Sequence, residues 1–194
     1  LFHRQPEVSE GDIVRLRQEG GTLFASAWYG QGLTAVDTTG AIIHWRLPKD
    51  LNDRQQSAQI GDALPLPDGN VLVASLAGLL HLDTRTGAYH HIPFDDASDT
   101  HQDPRMISLC DAGDGTIWVG GYGPWLHRYD PRNGHWTHYG TSSGIGPQVN
   151  ALVRDGHGTL WIGDKHGLSG YDETTGRIER VGPIQVNGAT TTLP

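Results

Sequence analysis

Histidines, clustered acids and unrepeated aromatics are the residues here whose type and spacing could do chemistry. The 11 histidines invite a metal reading, because neutral imidazole is a common metal ligand. His90 and His91 are adjacent, and His135 and His138 are an odd number of positions apart. On a strand the members of each pair point to opposite faces, so neither is bidentate. Cys110 is the single cysteine, which excludes an internal disulfide and removes the usual thiolate partner of a structural zinc site. No metal site and no cofactor are expected. The stretch Asp95-Asp-Ala-Ser-Asp99-Thr-His-Gln-Asp103 gathers four acids around His101. Oxygen-rich loops can hold Ca²⁺, but the spacing is not that of a helix–loop–helix calcium site, and solvated charge is the plainer reading. Gly30-Gln-Gly-Leu-Thr-Ala35 spells a dinucleotide fingerprint in letters, yet a strand follows it where a helix is required. There is no Gly-x-Ser-x-Gly elbow and no Cys–His arrangement, so no catalytic residues are expected.

Recognition is the chemistry left. Trp28 and Tyr29, and Tyr122 and Trp125, lie in Gly-containing segments, and flat aromatic rings suit stacking on sugars or on peptide side chains. Local loop packing is the competing reading, above all for Trp125 after Pro124.

The elements that must position these residues repeat. Asp114-Gly-Thr-Ile-Trp-Val-Gly-Gly121 followed by Asp130-Pro-Arg-Asn-Gly134 matches His157-Gly-Thr-Leu-Trp-Ile-Gly-Asp164 followed by Asp172-Glu-Thr-Thr-Gly176. Weaker copies read Gly21-Thr-Leu-Phe-Ala25 with Asp37-Thr-Thr-Gly40, and Gly69-Asn-Val-Leu-Val73 with Asp83-Thr-Arg-Thr-Gly87. The glycines at 21, 69, 115 and 158 are 48, 46 and 43 residues apart. Each copy holds four strands of about five residues joined by Asp/Gly turns, the pattern of an antiparallel meander. Four-stranded repeats of this period are propeller blades. The expected fold is all-β: four four-stranded antiparallel blades over about 13–45, 60–92, 105–139 and 148–181, an arc of a larger ring. Residues 1–4 read as the end of an upstream blade, and 182–194 as the connection into a further one. Because Phe24, Leu72, Trp118 and Trp161 recur at one place, both tryptophans are expected to be buried between blades. Asp37, Asp83, Asp130 and Asp172 recur at a turn and are expected to cap backbone N–H groups there.

Composition narrows the partners. The 27 glycines and 11 prolines favour a turn-rich chain. A formal charge of −8 argues against a nucleic-acid partner, whose phosphates must be neutralised by cations. No stretch approaches the ~20 apolar residues of a membrane helix, so direct membrane insertion by this segment is not expected.

Gln148-Val-Asn-Ala-Leu-Val-Arg-Asp-Gly-His-Gly-Thr-Leu-Trp-Ile-Gly163 and Gly167-Leu-Ser-Gly-Tyr-Asp-Glu-Thr-Thr-Gly176 resemble the two-component regulator propeller repeat. The resemblance runs from about Ile13 to Val181. It departs in the first two copies, where Phe24 and Leu72 stand for Trp, and Ala25-Ser26 and Ala74-Ser75 for Val119-Gly120 and Ile162-Gly163. It implies a periplasmic, ligand-sensing propeller attached to a bacterial histidine kinase or diguanylate cyclase, and the family has no shared catalytic residues to carry over. Strand parity puts the Asp/Gly hairpins of each blade on one side and the longer connections on the other, where function tends to reside. Candidate ligand contacts are therefore Trp28, Tyr29, Tyr122, Trp125, Asp99, His101 and His166. An unknown small molecule or oligosaccharide would bind there, and the remaining blades of a parent chain or a second copy would complete the array. Two alternatives stay open: a protein-interaction scaffold, and a propeller lyase with His166 and Lys165 as loose candidates for base and charge stabiliser.

Overall fold

The computed structural model describes residues 12–28, 32–48, 59–94, 105–182, 184–186 and 189–191. Within them the chain is all-β, apart from one 3-10 turn at Thr141–Ser143. The strands form four antiparallel four-stranded sheets in sequential order. The first contains β1 (Asp12–Glu19), β2 (Thr22–Trp28), β3 (Gly32–Val36) and β4 (Ile42–Arg46). The second contains β5 (Ile60–Pro65), β6 (Val71–Ser75), β7 (Gly78–Asp83) and β8 (Ala88–Ile92). The third has β9 (Met106–Asp111), β10 (Ile117–Gly121), β11 (Leu126–Asp130) and β12 (His135–Tyr139). The fourth has β13 (Ala151–Arg154), β14 (Leu160–Asp164), β15 (Gly167–Asp172) and β16 (Arg177–Arg180). A last hairpin pairs β17 (Ile184–Val186) with β18 (Ala189–Thr191), where the sequence suggested only a connection. Residues 1–4 lie outside the described residues.

The turn between the third and fourth strands shows why the sequence repeats. Oδ1 of Asp37, Asp83, Asp130 and Asp172 accepts the backbone N–H two residues on, at 2.8, 2.9, 3.0 and 2.8 Å. Each turn closes on a glycine with φ between 68° and 84°, a left-handed conformation that costs glycine nothing. These hydrogen bonds favour the ionised carboxylates. The Thr39 hydroxyl holds Asp37 below the usual carboxylate range, and the Thr174 N–H does the same for Asp172. The expected capping role is met at all four turns.

The chain divides into two compact units, residues 1–94 with 104–107 and residues 95–103 with 108–194. In the first, Phe24, Leu33 and Ala35 of the first sheet join Val71, Val73, Leu80 and Leu82 of the second in one core. The Trp45 indole N–H donates to the Thr84 carbonyl at 3.0 Å, and the Tyr89 hydroxyl donates to the Trp45 carbonyl at 2.8 Å. Asp62 is fully buried and is held by Arg17 at 3.0 Å and Arg15 at 3.4 Å.

In the second unit, Trp118, Leu126, Leu152, Leu160, Ile162 and Tyr171 share a core. Trp118 is fully buried. Its ring meets Tyr139 at 5.3 Å and the edge of Tyr171 at 5.4 Å. The Arg128 guanidinium lies 5.0 Å from the Trp118 ring centroid, and the indole N–H donates to Glu173 at 3.0 Å. Burial, with Tyr139 beside it, pushes the Tyr171 phenol up to about 12. Trp161 departs from expectation: it stays on its strand but is only half-buried. Its indole N–H turns back to its own repeat, donating to Asp155 at 2.9 Å.

Candidate functional site

The end of the second unit opposite its Asp/Gly hairpins is organised by a buried carboxylate. Asp164 closes β14, and its side chain is 1% exposed. It accepts the backbone N–H of Gly146 at 2.8 Å and of His166 at 2.7 Å, and lies 3.5 Å from the Arg180 guanidinium. A buried anion needs such partners, because desolvation without them is costly. Glycine at position 146 leaves room for this carboxylate, since a Cβ there would collide with Asp164 Oδ2.

The link between the third and fourth sheets runs across this centre. Lys165 N–H donates to the Pro147 carbonyl at 3.1 Å, and Gln148 N–H donates to the Gly123 carbonyl at 3.2 Å. Gln148 has φ 58° and is the one non-glycine with positive φ among the described residues. Backbone strain of this kind persists where the surroundings over-determine it. The β10–β11 connection, the link and the β14–β15 turn are thereby tied into one layer.

Each residue expected at a site takes its place as follows. Tyr122 is half-buried in the β10–β11 connection, and His166 is exposed at the β14–β15 turn, so the layer holds both segments. Trp125 packs onto the backbone of Gly140, where a Cβ would come within 2.5 Å of the ring. This ring has a packing role in the layer. Trp28 is half-buried at the end of β2, paired with Asp12, in the other unit. Tyr29, Asp99 and His101 lie outside the described residues.

Sequence reasoning passed over Asp164, although a signal was available. It stands where the other repeats have Gly121, Ser75 and Ala27, and a charge at an inward-facing strand position calls for a partner. The conformation of Gln148 had no comparable signal. Sequence reasoning also missed a histidine pair, because it compared residues along single strands. His127 and His138 are cross-strand partners, with Nδ1 atoms 2.7 Å apart. One ring must donate and the other accept. Among the described residues no group of three or more metal-ligating side chains forms.

One cavity lies elsewhere, on the outer face of the fourth sheet. It has a volume of about 370 Å³ and is lined by Trp161, Gly170, Thr159, Asp172, Arg177 and Glu179 among others. It exists because Gly170 pairs with Trp161 across the strands. In the third sheet the residue paired with the tryptophan is Arg128, which covers the ring.

Comparison with solved structures agrees with the repeat reading. The chain is similar to the extracellular domain of BT4673 from B. thetaiotaomicron, described as a one component system, with a TM-score of 0.64 and 22% identity over 92% of this chain. It is similar to the extracellular domain of BT3049 from the same organism, described as a hybrid two component system, with a TM-score of 0.69 and 15% identity over 91% of this chain. It is also similar to a catalytically inactive virginiamycin B lyase from Staphylococcus aureus, with a TM-score of 0.70 and 14% identity over 96% of this chain and 60% of the lyase. The chain spans about a quarter of the length of the two extracellular domains, 23% and 25%. No family model and no curated protein matches. The fold is therefore the β-propeller kind, built from four four-stranded blades. The structural relatives include extracellular domains of bacterial signalling systems.

Proposed function

We propose that this chain is the ligand-sensing, extracytoplasmic propeller module of a bacterial signal-transduction receptor, non-catalytic in itself and exposed to the periplasm. The observation that carries this reading is the layer locked by Asp164. A buried, fully partnered carboxylate and a left-handed Gln148 hold three connecting segments in one arrangement, with Tyr122 and His166 on them. Pre-organised loops on a rigid scaffold suit recognition, since little conformational freedom is lost on binding. The two-component resemblance of the repeats and the likeness to extracellular signalling domains support the same reading. A small molecule or oligosaccharide would stack on Tyr122 and hydrogen-bond His166. Signalling further requires unequal affinity for two states of the receptor.

The test is to titrate the 194-residue chain with panels of oligosaccharides and small metabolites by calorimetry. For any binder found, Tyr122→Ala and His166→Ala should each weaken affinity by about tenfold or more, or about 1.4 kcal/mol. Their melting temperatures should stay near that of the unaltered chain. Binding that ignores both substitutions, or maps to the Asp/Gly hairpins, overturns the proposal.

A further inference from the structure

One cross-strand pair recurs at the same register in every repeat, one residue before the partner of the recurring ring. It reads Thr34 opposite His44, Leu80 opposite His91, His127 opposite His138 and Ser169 opposite Arg180. The first three copies solve burial in ordinary ways. Thr34 Oγ1 and His44 Nδ1 are hydrogen-bonded at 2.9 Å, Leu80 is apolar, and His127 meets His138 at 2.7 Å. The fourth copy does not. Ser169 is 1% exposed, and its hydroxyl has no hydrogen-bond partner among the described residues. Such a group calls for a partner, because its desolvation is otherwise uncompensated. Arg180, its neighbour on the same face, directs its guanidinium to Asp164 instead.

Arg180 is held there loosely. Asp164 takes its short hydrogen bonds from the backbone N–H groups of Gly146 and His166, at 2.8 and 2.7 Å, and both guanidinium contacts are 3.5 Å. Full-strength charge-assisted bonds are about 2.7–2.9 Å long. The guanidinium therefore keeps donors to spare, and the side chain is 39% exposed. It lies beside the β14–β15 turn, since a Cβ at Gly167 would be 3.8 Å from it. That turn carries Lys165 and His166, both exposed and without a side-chain partner among the described residues.

The charge of the layer is one-sided. The β10–β11 connection (122–125), the link (140–150) and residues 164–167 hold one carboxylate between them, the buried Asp164. Against it stand Lys165, His166 and Arg180. Glu179 is adjacent to Arg180 in sequence, but it pairs with Gly170 and so lies on the opposite face of the sheet. On a chain with a formal charge of −8, this end is locally basic, and local charge of one sign draws ligands of the other.

We propose that the ligand of this layer carries a carboxylate, which binds at the Arg180 guanidinium, flanked by Lys165 and His166 and reached by the Ser169 hydroxyl. The inference rests on the sensing reading above and adds the charge of what is sensed. A planar guanidinium matches a carboxylate with two parallel N–H···O bonds. The orphan hydroxyl gains the partner that the first and third repeats supply internally.

Calorimetric titration of the 194-residue chain with digalacturonate, trigalacturonate, their methyl esters and succinate tests this. An acidic probe should bind, and esterification should abolish binding. Tighter binding of the galacturonates than of succinate makes the source a sugar acid, and the reverse order makes it a free organic acid. Arg180→Gln should weaken the bound acid by about tenfold or more, Lys165→Gln by a smaller factor, and Arg180→Lys should recover part of the loss. Ser169→Ala should also weaken it while the melting temperature holds or rises, because an unsatisfied buried hydroxyl is removed. A packing role alone would leave affinity unchanged in that variant. A neutral sugar that binds through Tyr122 and His166 and ignores Arg180→Gln overturns this inference and leaves the sensing reading standing. Failure of every acidic probe overturns it equally, and the neutral members of the wider panel then decide the sensing reading.

Discussion

The third and fourth repeats share the Gly-Thr-x-Trp-x-Gly motif, yet their tryptophans live differently. Trp118 is enclosed by Tyr139, Tyr171, Arg128 and Glu173, and it reaches into the next sheet for its hydrogen bond. Trp161 occupies the same strand position, stands beside a glycine in place of the arginine, and bonds Asp155 of its own turn. The difference teaches that a recurring aromatic is a packing residue only where its neighbour is present. The same side chain beside Gly170 is only half-buried.

The largest expected contrast comes from deleting the rings. Trp118→Ala should cost about 3–5 kcal/mol of unfolding free energy, the range for a large buried aromatic. Trp161→Ala should cost about 1 kcal/mol, as ordinary partly exposed substitutions do. Urea unfolding of both variants checks this, and equal losses would break the comparison.

Next comes the hydrogen bond between sheets. Glu173→Ala leaves the buried Trp118 N–H without its acceptor and should cost about 1–3 kcal/mol. Glu173→Gln, which keeps an acceptor oxygen, should recover much of that in the same measurement.

Converting the fourth repeat toward the third sharpens the comparison further. A Cβ at Gly170 would sit 3.4 Å from Thr159 and 3.5 Å from the Trp161 ring, which is ordinary contact. Gly170→Arg should therefore change stability by about 0.5 kcal/mol or less. It should also shield Trp161 from acrylamide quenching, read in a background where the other five tryptophans are phenylalanine. Unchanged quenching would mean that the arginine does not cover the ring.

The smallest effect is on acid stability. The Trp161 N–H, with backbone N–H groups of its turn, holds the Asp155 carboxyl below its ordinary 3.8. A carboxylate whose folded value is depressed stabilises the fold above its unfolded value. That contribution is lost as pH falls through the folded value. Asp155→Asn should therefore flatten the decline in melting temperature below about pH 3.8. An unchanged acid limb would show that this carboxylate does not contribute.

Much of the fold was legible because its signals are local. Asp37, Asp83, Asp130 and Asp172 form the same turn in every repeat, since the carboxylate bonds the backbone two residues on. The candidate site was legible in part. Parity located the connecting segments that carry Tyr122, Trp125 and His166, but not the work of each ring. Trp125 packs on Gly140, a residue fifteen positions away, and no local pattern announces that contact.

By itself, the sequence determined the hairpin turns and the four-stranded repeat, because alternation and turn chemistry act over a few neighbouring residues. Tertiary structure alone decided which tryptophan is enclosed. It also made Asp164 the organiser of the loop layer, and it brought His127 and His138 within 2.7 Å. The physical reason is common to all three. Burial, charge compensation and cross-strand contact depend on what packs against a residue, and that neighbour is supplied by another strand or another sheet.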